Sequence, residues 1–185
     1  MISDFIIGLD ISTSSTGIAL LDVNEQIIDL CVHKPKGNSL VEKGVDFQNS
    51  LQDILLKNNL STPKAIYIEQ NLQRFRRGFS SAKVINTLAR YNGMCSLVVY
   101  QLFTMQPEYI PVNHGRKVVG IKIKRGENTK EKVFSWAKEN YDFEWPTKVL
   151  KSGPRKNLEI FDNCCYDISD ALVTAIAGIR TQNGT

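Results

Sequence analysis

The sequence lacks the features that mark several classes of protein. No apolar run approaches the roughly 18 residues that a membrane-spanning helix needs, and the opening segment has an acid at Asp4 and no basic leader, which is not typical of a signal peptide. Cysteine is scarce, and no pair stands at the spacing of zinc ligands. The four cysteines are Cys31, Cys95, Cys164 and Cys165. We therefore expect a cytoplasmic protein of bacterial or phage origin, soluble and not secreted, with reduced thiols.

The size and charge of the chain limit its function further. Its 185 residues fit one domain, residues 1–185, and leave no room for a second large one. The net charge of +4 is a mild excess, but the basic residues fall into three groups. These are Arg74, Arg76 and Arg77; then Arg116, Lys117, Lys122, Lys124 and Arg125; then Lys148, Lys151, Arg155 and Lys156. Each group alone is typical of a solvated loop, whereas three on one domain favour a phosphate-rich partner.

Hydrophobic periodicity predicts an α/β fold with a mixed sheet. Three strands form an antiparallel meander, and strands then alternate with helices that cover the sheet. The predicted strands are Phe5–Ile11 and residues 17–23, 26–33, 65–69 and 109–112. Pro107 and Pro111 bracket the last strand and argue against a helix there. The predicted helices are residues 38–57, one from Ser80 or Ser81 to about Leu102, then residues 129–141 and 167–179, with a Lys-, Pro- and Gly-rich loop before the last.

Two acids occupy positions in apolar strands, where burial of a charge is unfavourable. Asp10 lies in the apolar first strand and Glu69 ends the apolar strand AIYIE. Burying a lone charge costs several kcal/mol unless a partner compensates it, and neither acid has a Lys or Arg near it in the sequence. Either acid alone is explained by a capped turn or by an Arg across the sheet. Two such acids on central strands favour a shared cation.

A second pair of acids opens the last predicted helix. Asp167 and Asp170 are three residues apart, so both project from one face of its first turn. Acids at a helix start also stabilise the helix dipole by ~0.3–1 kcal/mol each, but that does not explain why Asp170 adjoins the inward face. Four carboxylates meeting at one point suit Mg²⁺. Two such ions about 4 Å apart can hydrolyse a phosphodiester.

Four segments resemble the motifs of the RuvC-like Holliday junction resolvases, in the family's order. They are GLDISTSSTGIALLD at residues 8–22, IEQ at 68–70, VVGIK at 118–122 followed by Lys130, and YDISDALVTAIA at 166–177. The resemblance implies a ribonuclease H-like fold, a mixed five-stranded sheet with three antiparallel strands followed by parallel ones, flanked by helices. It implies a homodimer that makes paired symmetric nicks in four-way DNA junctions, in DNA recombination and repair.

The resemblance also assigns residues. Asp10, Glu69, Asp167 and Asp170 are the catalytic acids and ligands of Mg²⁺, two ions per site, with Mn²⁺ able to substitute. The family accepts Asp or His at the position of Asp167. No nucleotide cofactor and no membrane partner are implied. The predicted DNA-binding residues are Arg74, Phe75, Arg76, Arg77, Phe79, Arg116, Lys117, Lys122 and Lys130.

The sequence departs from the family at the aromatic residue that follows the second acid. Leu72 stands at that position, and Phe75 or Phe79 is our candidate to replace it. Three arginines beside these rings favour contact with phosphates and an opened base. His114 is assigned to a loop, satisfied by a hydrogen bond, and is not included among the catalytic residues.

Other functions remain open at this point. The same acids suit a nuclease for other branched DNA or for RNA–DNA hybrids. A strand, Asp and small-residue turn also open the actin-like and sugar-kinase ATPases, but these need a second domain and another phosphate loop. A non-catalytic DNA-binding module is disfavoured because all four acids are present.

Overall fold

A mixed sheet forms the centre of the protein in the computed structural model, which describes residues 4–70 and 82–184. Within these residues the sheet has five strands in the order β3-β2-β1-β4-β5. They are β1 (Phe5–Ile11), β2 (Thr16–Asp22), β3 (Ile27–His33), β4 (Ala65–Gln70) and β5 (Glu108–Pro111). β1, β2 and β3 pair antiparallel, while β4 pairs parallel with both β1 and β5. The predicted meander and the parallel strands after it are confirmed.

Helices cover both faces of this sheet. Those of the described residues are α1 (Leu40–Lys57), α2 (Ala82–Phe103), α3 (Val112–Val118), α4 (Thr129–Asn140) and α5 (Cys164–Gln182). One hydrophobic cluster joins the sheet to α1 and α2, and a second joins its other face to α4 and α5. None of these helices is long and apolar enough to cross a membrane.

Alternation along the strands decides which cluster each residue joins. Phe5, Ile7 and Leu9 pack toward α1 and α2, whereas Ile6 packs toward α5. Successive strand residues face opposite sides of a sheet, so Asp10 shares the α5 face with Ile6. By the same reasoning, Glu69 shares that face with Ala65 and Tyr67 of β4.

Helix α5 lies unusually close to the first two strands. A Cβ atom on Gly8 would overlap the backbone carbonyl of Ala171, and one on Gly17 would overlap that of Asp167. Only glycine permits this approach of helix backbone to strand backbone. The helix is buried along most of its length, from Ile168 to Ile179.

The strand bracketed by Pro107 and Pro111 is confirmed as β5, but the helix after it was not predicted, and two other expectations about local structure are wrong. Pro111 ends β5 and is the N-cap of α3, a position where its missing N–H and fixed φ do no harm. The segment expected to be a loop before α5 contains a hairpin, β6 (Thr147–Val149) and β7 (Glu159–Phe161). Helix α5 begins at Cys164, so Asp170 lies in its second turn, not its first.

Candidate active site

The sheet places Asp10 and Glu69 side by side. β1 and β4 are parallel neighbours, and Leu9 pairs with Ile68. Asp10 and Glu69 are the next residues on the two strands, so they lie side by side at the carboxyl ends of β1 and β4. Both belong to the face that α5 covers. The site therefore begins with two carboxylates between a sheet edge and a helix.

Helix α5 adds the other two acids. Asp10 pairs with Gly17 across the β1–β2 hairpin, and Gly17 lies against the backbone of Asp167. The hydroxyl of Ser15 donates a hydrogen bond of 2.5 Å to Asp167 Oδ2. Asp170 is one turn further along, with its side chain 14% exposed. All four predicted acids are thus brought to one end of the sheet.

Burial and mutual repulsion raise the pKa of three of these acids. Loss of solvation raises the pKa of Asp10 well above its usual range, and the charges of Glu69, Asp170 and Asp167 raise it further. The pKa of Glu69 rises to about 8, chiefly through burial and then through Asp170. Burial is also the main cause that raises the pKa of Asp170 to about 6. Groups that disfavour each other's charge in this way are typical of functional sites.

Basic residues compensate this charge only in part. Arg116 Nη2 lies 4.0 Å from Asp170 Oδ1, a long ion pair. The charges of Arg116 and Lys130 lower the pKa of Glu69, but repulsion and burial outweigh them. The simpler explanation, in which each acid pairs with its own cation across the sheet, therefore does not account for the raised pKa values of these acids.

The donor set fits a hard divalent cation. Carboxylate oxygens are the ligands that Mg²⁺ prefers, and a cation would relieve the repulsion that raises the pKa values of Asp10 and Glu69. Within residues 4–70 and 82–184, however, no three His, Cys, Asp or Glu side chains stand in ready metal-binding geometry. The identity and number of the ions therefore stay predictions.

Three of the predicted DNA-binding residues lie together. Arg116, Lys117 and Lys122 line a cleft of about 250 Å³ on and after α3, together with Gly120 and Ile121. Through Arg116 this cleft adjoins Asp170. A backbone phosphate bound in the cleft would therefore lie next to the acids.

Other predicted residues fall elsewhere. Arg74, Phe75, Arg76, Arg77 and Phe79 lie outside the described residues, as do Leu72 and the expected helix caps Ser80 and Ser81. His114 shares a hydrogen bond of 3.1 Å with Thr181 Oγ1, as expected, but on α3 and not in a loop. All four cysteines are free thiols.

The sequence analysis missed two features of this region. Ser15 belongs to the small-residue turn between β1 and β2, and nothing in the sequence showed that it would reach Asp167. The third basic group begins in β6, where Lys148 pairs with Asp162 at 3.5 Å, and continues into the turn of the hairpin. The short strands of that hairpin gave no clear alternation.

The fold is shared with solved Holliday junction resolvases, although no protein-family model and no curated protein matches the sequence. RuvC of Thermus thermophilus in complex with Holliday junction substrate has a TM-score of 0.61 at 14% identity, over 98% of this chain and 96% of that chain. Another Thermus thermophilus RuvC structure gives 0.61 at 16% identity, over 98% and 97%. The yeast mitochondrial Holliday junction resolvase Ydc2 gives 0.57 at 15%, over 96% and 78%. The predicted ribonuclease H-like fold is confirmed.

Proposed function

We propose that this protein is a metal-dependent endonuclease that resolves four-way DNA junctions. The observation that carries the proposal is the meeting of Asp10, Glu69, Asp167 and Asp170 at one end of a sheet whose fold is that of Holliday junction resolvases. A junction is the substrate bound to the structural neighbour from Thermus thermophilus. The motifs of the sequence favour the same substrate class.

The acids are proposed to hold Mg²⁺, which when bound supplies a Lewis acid at the phosphate and an activated water. The protein's own part is to fix four carboxylates against a rigid helix and sheet, in a setting where their repulsion is relieved only by added positive charge. Arg116 and Lys130, whose charges reach the acids, would hold the phosphate that is cut. Lys117 and Lys122 would neutralise its neighbours.

We also propose that the protein acts as a homodimer with two ions per site. A two-fold dimer presents two acid groups to a junction that itself has near two-fold symmetry, and paired symmetric nicks follow from that match. Arg76 and Arg77, which lie outside the described residues, are proposed to contact the branch point. Arg76→Ala combined with Arg77→Ala should then weaken junction binding and its salt dependence, measured by fluorescence anisotropy at several salt concentrations.

The deciding experiment is a cleavage assay on a synthetic four-way junction with Mg²⁺ or Mn²⁺. Three-way junctions, RNA–DNA hybrid and linear duplex serve as competing substrates. We expect the four-way junction to be cut at symmetric positions and linear duplex to be left intact. Faster cleavage of a three-way junction or a hybrid would move the proposal to that substrate. No cleavage of any branched or hybrid substrate would refute it.

Asp10→Asn tests the acids themselves. The change removes one charge and keeps the shape, so cleavage should fall by at least about 100-fold while junction binding is retained. Asp53→Asn is the matched control, because Asp53 is exposed on α1, on the face away from α5. Cleavage by Asp10→Asn at the wild-type rate would contradict the assignment.

A further inference from the structure

A second cavity, of about 410 Å³, opens beside the acids at the start of α5. Its walls include Lys34, which follows β3, and Lys130, in the first turn of α4. Asn163, Tyr166 and Asp167 contribute the α5 side. Its volume is in the range of about 300–1,000 Å³ that is usual for binding sites of small molecules.

This cavity is continuous with the candidate active site. Asp167 belongs to both, and the charge of Lys130 lowers the pKa of Asp10 and of Glu69. The cleft of Arg116 adjoins the acids through Asp170. A DNA strand whose phosphate lies at the acids therefore has a basic cleft next to Asp170 and this cavity next to Asp167.

The available charge in the cavity is positive. Lys34 and Lys130 are exposed, and neither forms an ion pair within the part of the chain that the structure describes. Its acids are engaged: Asp162 accepts a hydrogen bond from the Cys164 backbone N–H at 2.9 Å and pairs with Lys148 outside the cavity. Asp167 accepts from Ser15. A phosphate group is the ligand that such a charge distribution attracts.

Asn163, immediately before the first residue of α5, has an unusual role for its position. It is the N-cap of α5, yet its side chain makes no capping hydrogen bond, whereas an asparagine there normally accepts one from the first turn. Asp162 takes over that role by accepting from Cys164. Among the residues that the structure describes, the exposed amide of Asn163 has no other hydrogen-bond partner either, so its donor and its acceptor are both available to a ligand. These are the pair of groups that reads the edge of a base.

Tyr166 supplies an apolar wall. Its ring packs edge-on against Phe134 at 6.0 Å between centroids, and Lys130 Nζ lies 5.9 Å from its centroid. The ring is half-buried because one side of it packs against Phe134, and its exposed part lines the cavity. A sugar or base can pack there while its phosphate meets the lysines.

We propose that this cavity binds the nucleotide next to the cut phosphate. Lys34 contacts its phosphate, Lys130 is shared between that phosphate and the one that is cut, Tyr166 packs against its sugar or base, and Asn163 reads the base. The preferred cleavage sequence is then set partly here. The inference rests on the proposed function, since it takes the acids to be the place where DNA is cut.

Photocrosslinking tests the position of the nucleotide without requiring cleavage. Full-length protein carrying Asp10→Asn is bound to a junction that contains 4-thiothymidine on one or the other side of the expected cut, and the adduct is located by mass spectrometry. We expect an adduct on Tyr166 or Asn163 from one of the two positions. Adducts found only outside the cavity, or none from either position, would overturn the inference even if the wild-type protein cleaves junctions.

Cleavage of junctions with randomised bases around the cut tests what the residues do. Asn163→Ala should flatten a preference of about tenfold at one position, and Lys34→Ala should raise KM about tenfold with little change in kcat. Asn38→Ala and Lys36→Ala are matched controls, exposed and outside the cavity. An unchanged preference in Asn163→Ala, or a wild-type protein with no preference there, overturns base reading. Failure of the wild type to cut any junction refutes the proposed function instead.

Discussion

Replacing Glu69 by glutamine should stabilise the metal-free protein at pH 8. The pKa of Glu69 is about 8 in the folded protein against 4.5 for an ordinary glutamate. Below about pH 4 the carboxyl is protonated in both states and has no effect. As the pH rises, the unfolded chain releases the proton while the folded protein keeps it, so the free energy of unfolding falls by ~1.4 kcal/mol per pH unit until about pH 8.

The size of the effect follows from these two values. Summed from pH 4.5 to pH 8, the loss is about 4 kcal/mol for a fully buried group, and partial exposure of Glu69 reduces it to about 2–4 kcal/mol. Glutamine keeps the shape and removes the titration. It also removes one of the charges that raise the pKa of Asp10. The variant should therefore gain about 2–4 kcal/mol at pH 8 and under about 1 kcal/mol at pH 5.

Urea denaturation in EDTA at pH 5 and pH 8 measures this difference. Glu139→Gln, on the exposed side of α4, is the matched control and should change the free energy of unfolding little at either pH. Mg²⁺ should then raise the stability of the wild type at pH 8 more than that of Glu69→Gln. An unchanged or lower stability of Glu69→Gln at pH 8, or an equal gain at both pH values, would refute the account of a repulsive, buried acid group.

Two further predictions concern the scaffold and the basic cleft. Gly17→Ala should lower the free energy of unfolding by about 3 kcal/mol in a thermal or urea melt and impair cleavage, because the new Cβ would overlap the carbonyl of Asp167. Gly93 is a helical position with open space around it. Gly93→Ala should therefore raise the free energy of unfolding by ~0.5–1 kcal/mol. Equal effects of the two would argue against the close helix contact. Arg116→Ala combined with Lys122→Ala should weaken junction binding and reduce the slope of log K against log salt by about 2. An unchanged slope in anisotropy titrations would exclude both side chains from phosphate contact.

The sheet was predictable because its residues alternate or cluster strongly. β1 matched its predicted range, Phe5–Ile11, and β4 differed from the prediction by one residue. The candidate acids Asp10 and Glu69 could also be picked out, since a carboxylate within an apolar strand stands out in the sequence. Their meeting was not derivable from local patterns alone, because it depends on the register between β1 and β4 and on the approach of α5.

The elements that were missed carry weaker local signals. Pro111 excludes a helix only when it lies inside one, and here it precedes one. The strands of the β6–β7 hairpin are three residues long, and their exposed Val149 and Phe161 do not alternate clearly with polar residues. Cys164 extends α5 upstream without a capping side chain at Asn163. In each case the local pattern is short or is also compatible with another element, so it does not fix the boundary.

The depth at which α5 is buried has a consequence for how its acids move. Nearly all residues from Ile168 to Ile179 are buried, so we expect hydrogen exchange of their backbone amides to require opening of the whole domain and to be among the slowest in the protein. Asp170 belongs to that stretch and Asp167 immediately precedes it. The backbone that carries both carboxylates should therefore open only when the whole domain unfolds. Changes in surrounding loops can then alter which substrate the protein binds without displacing the acids.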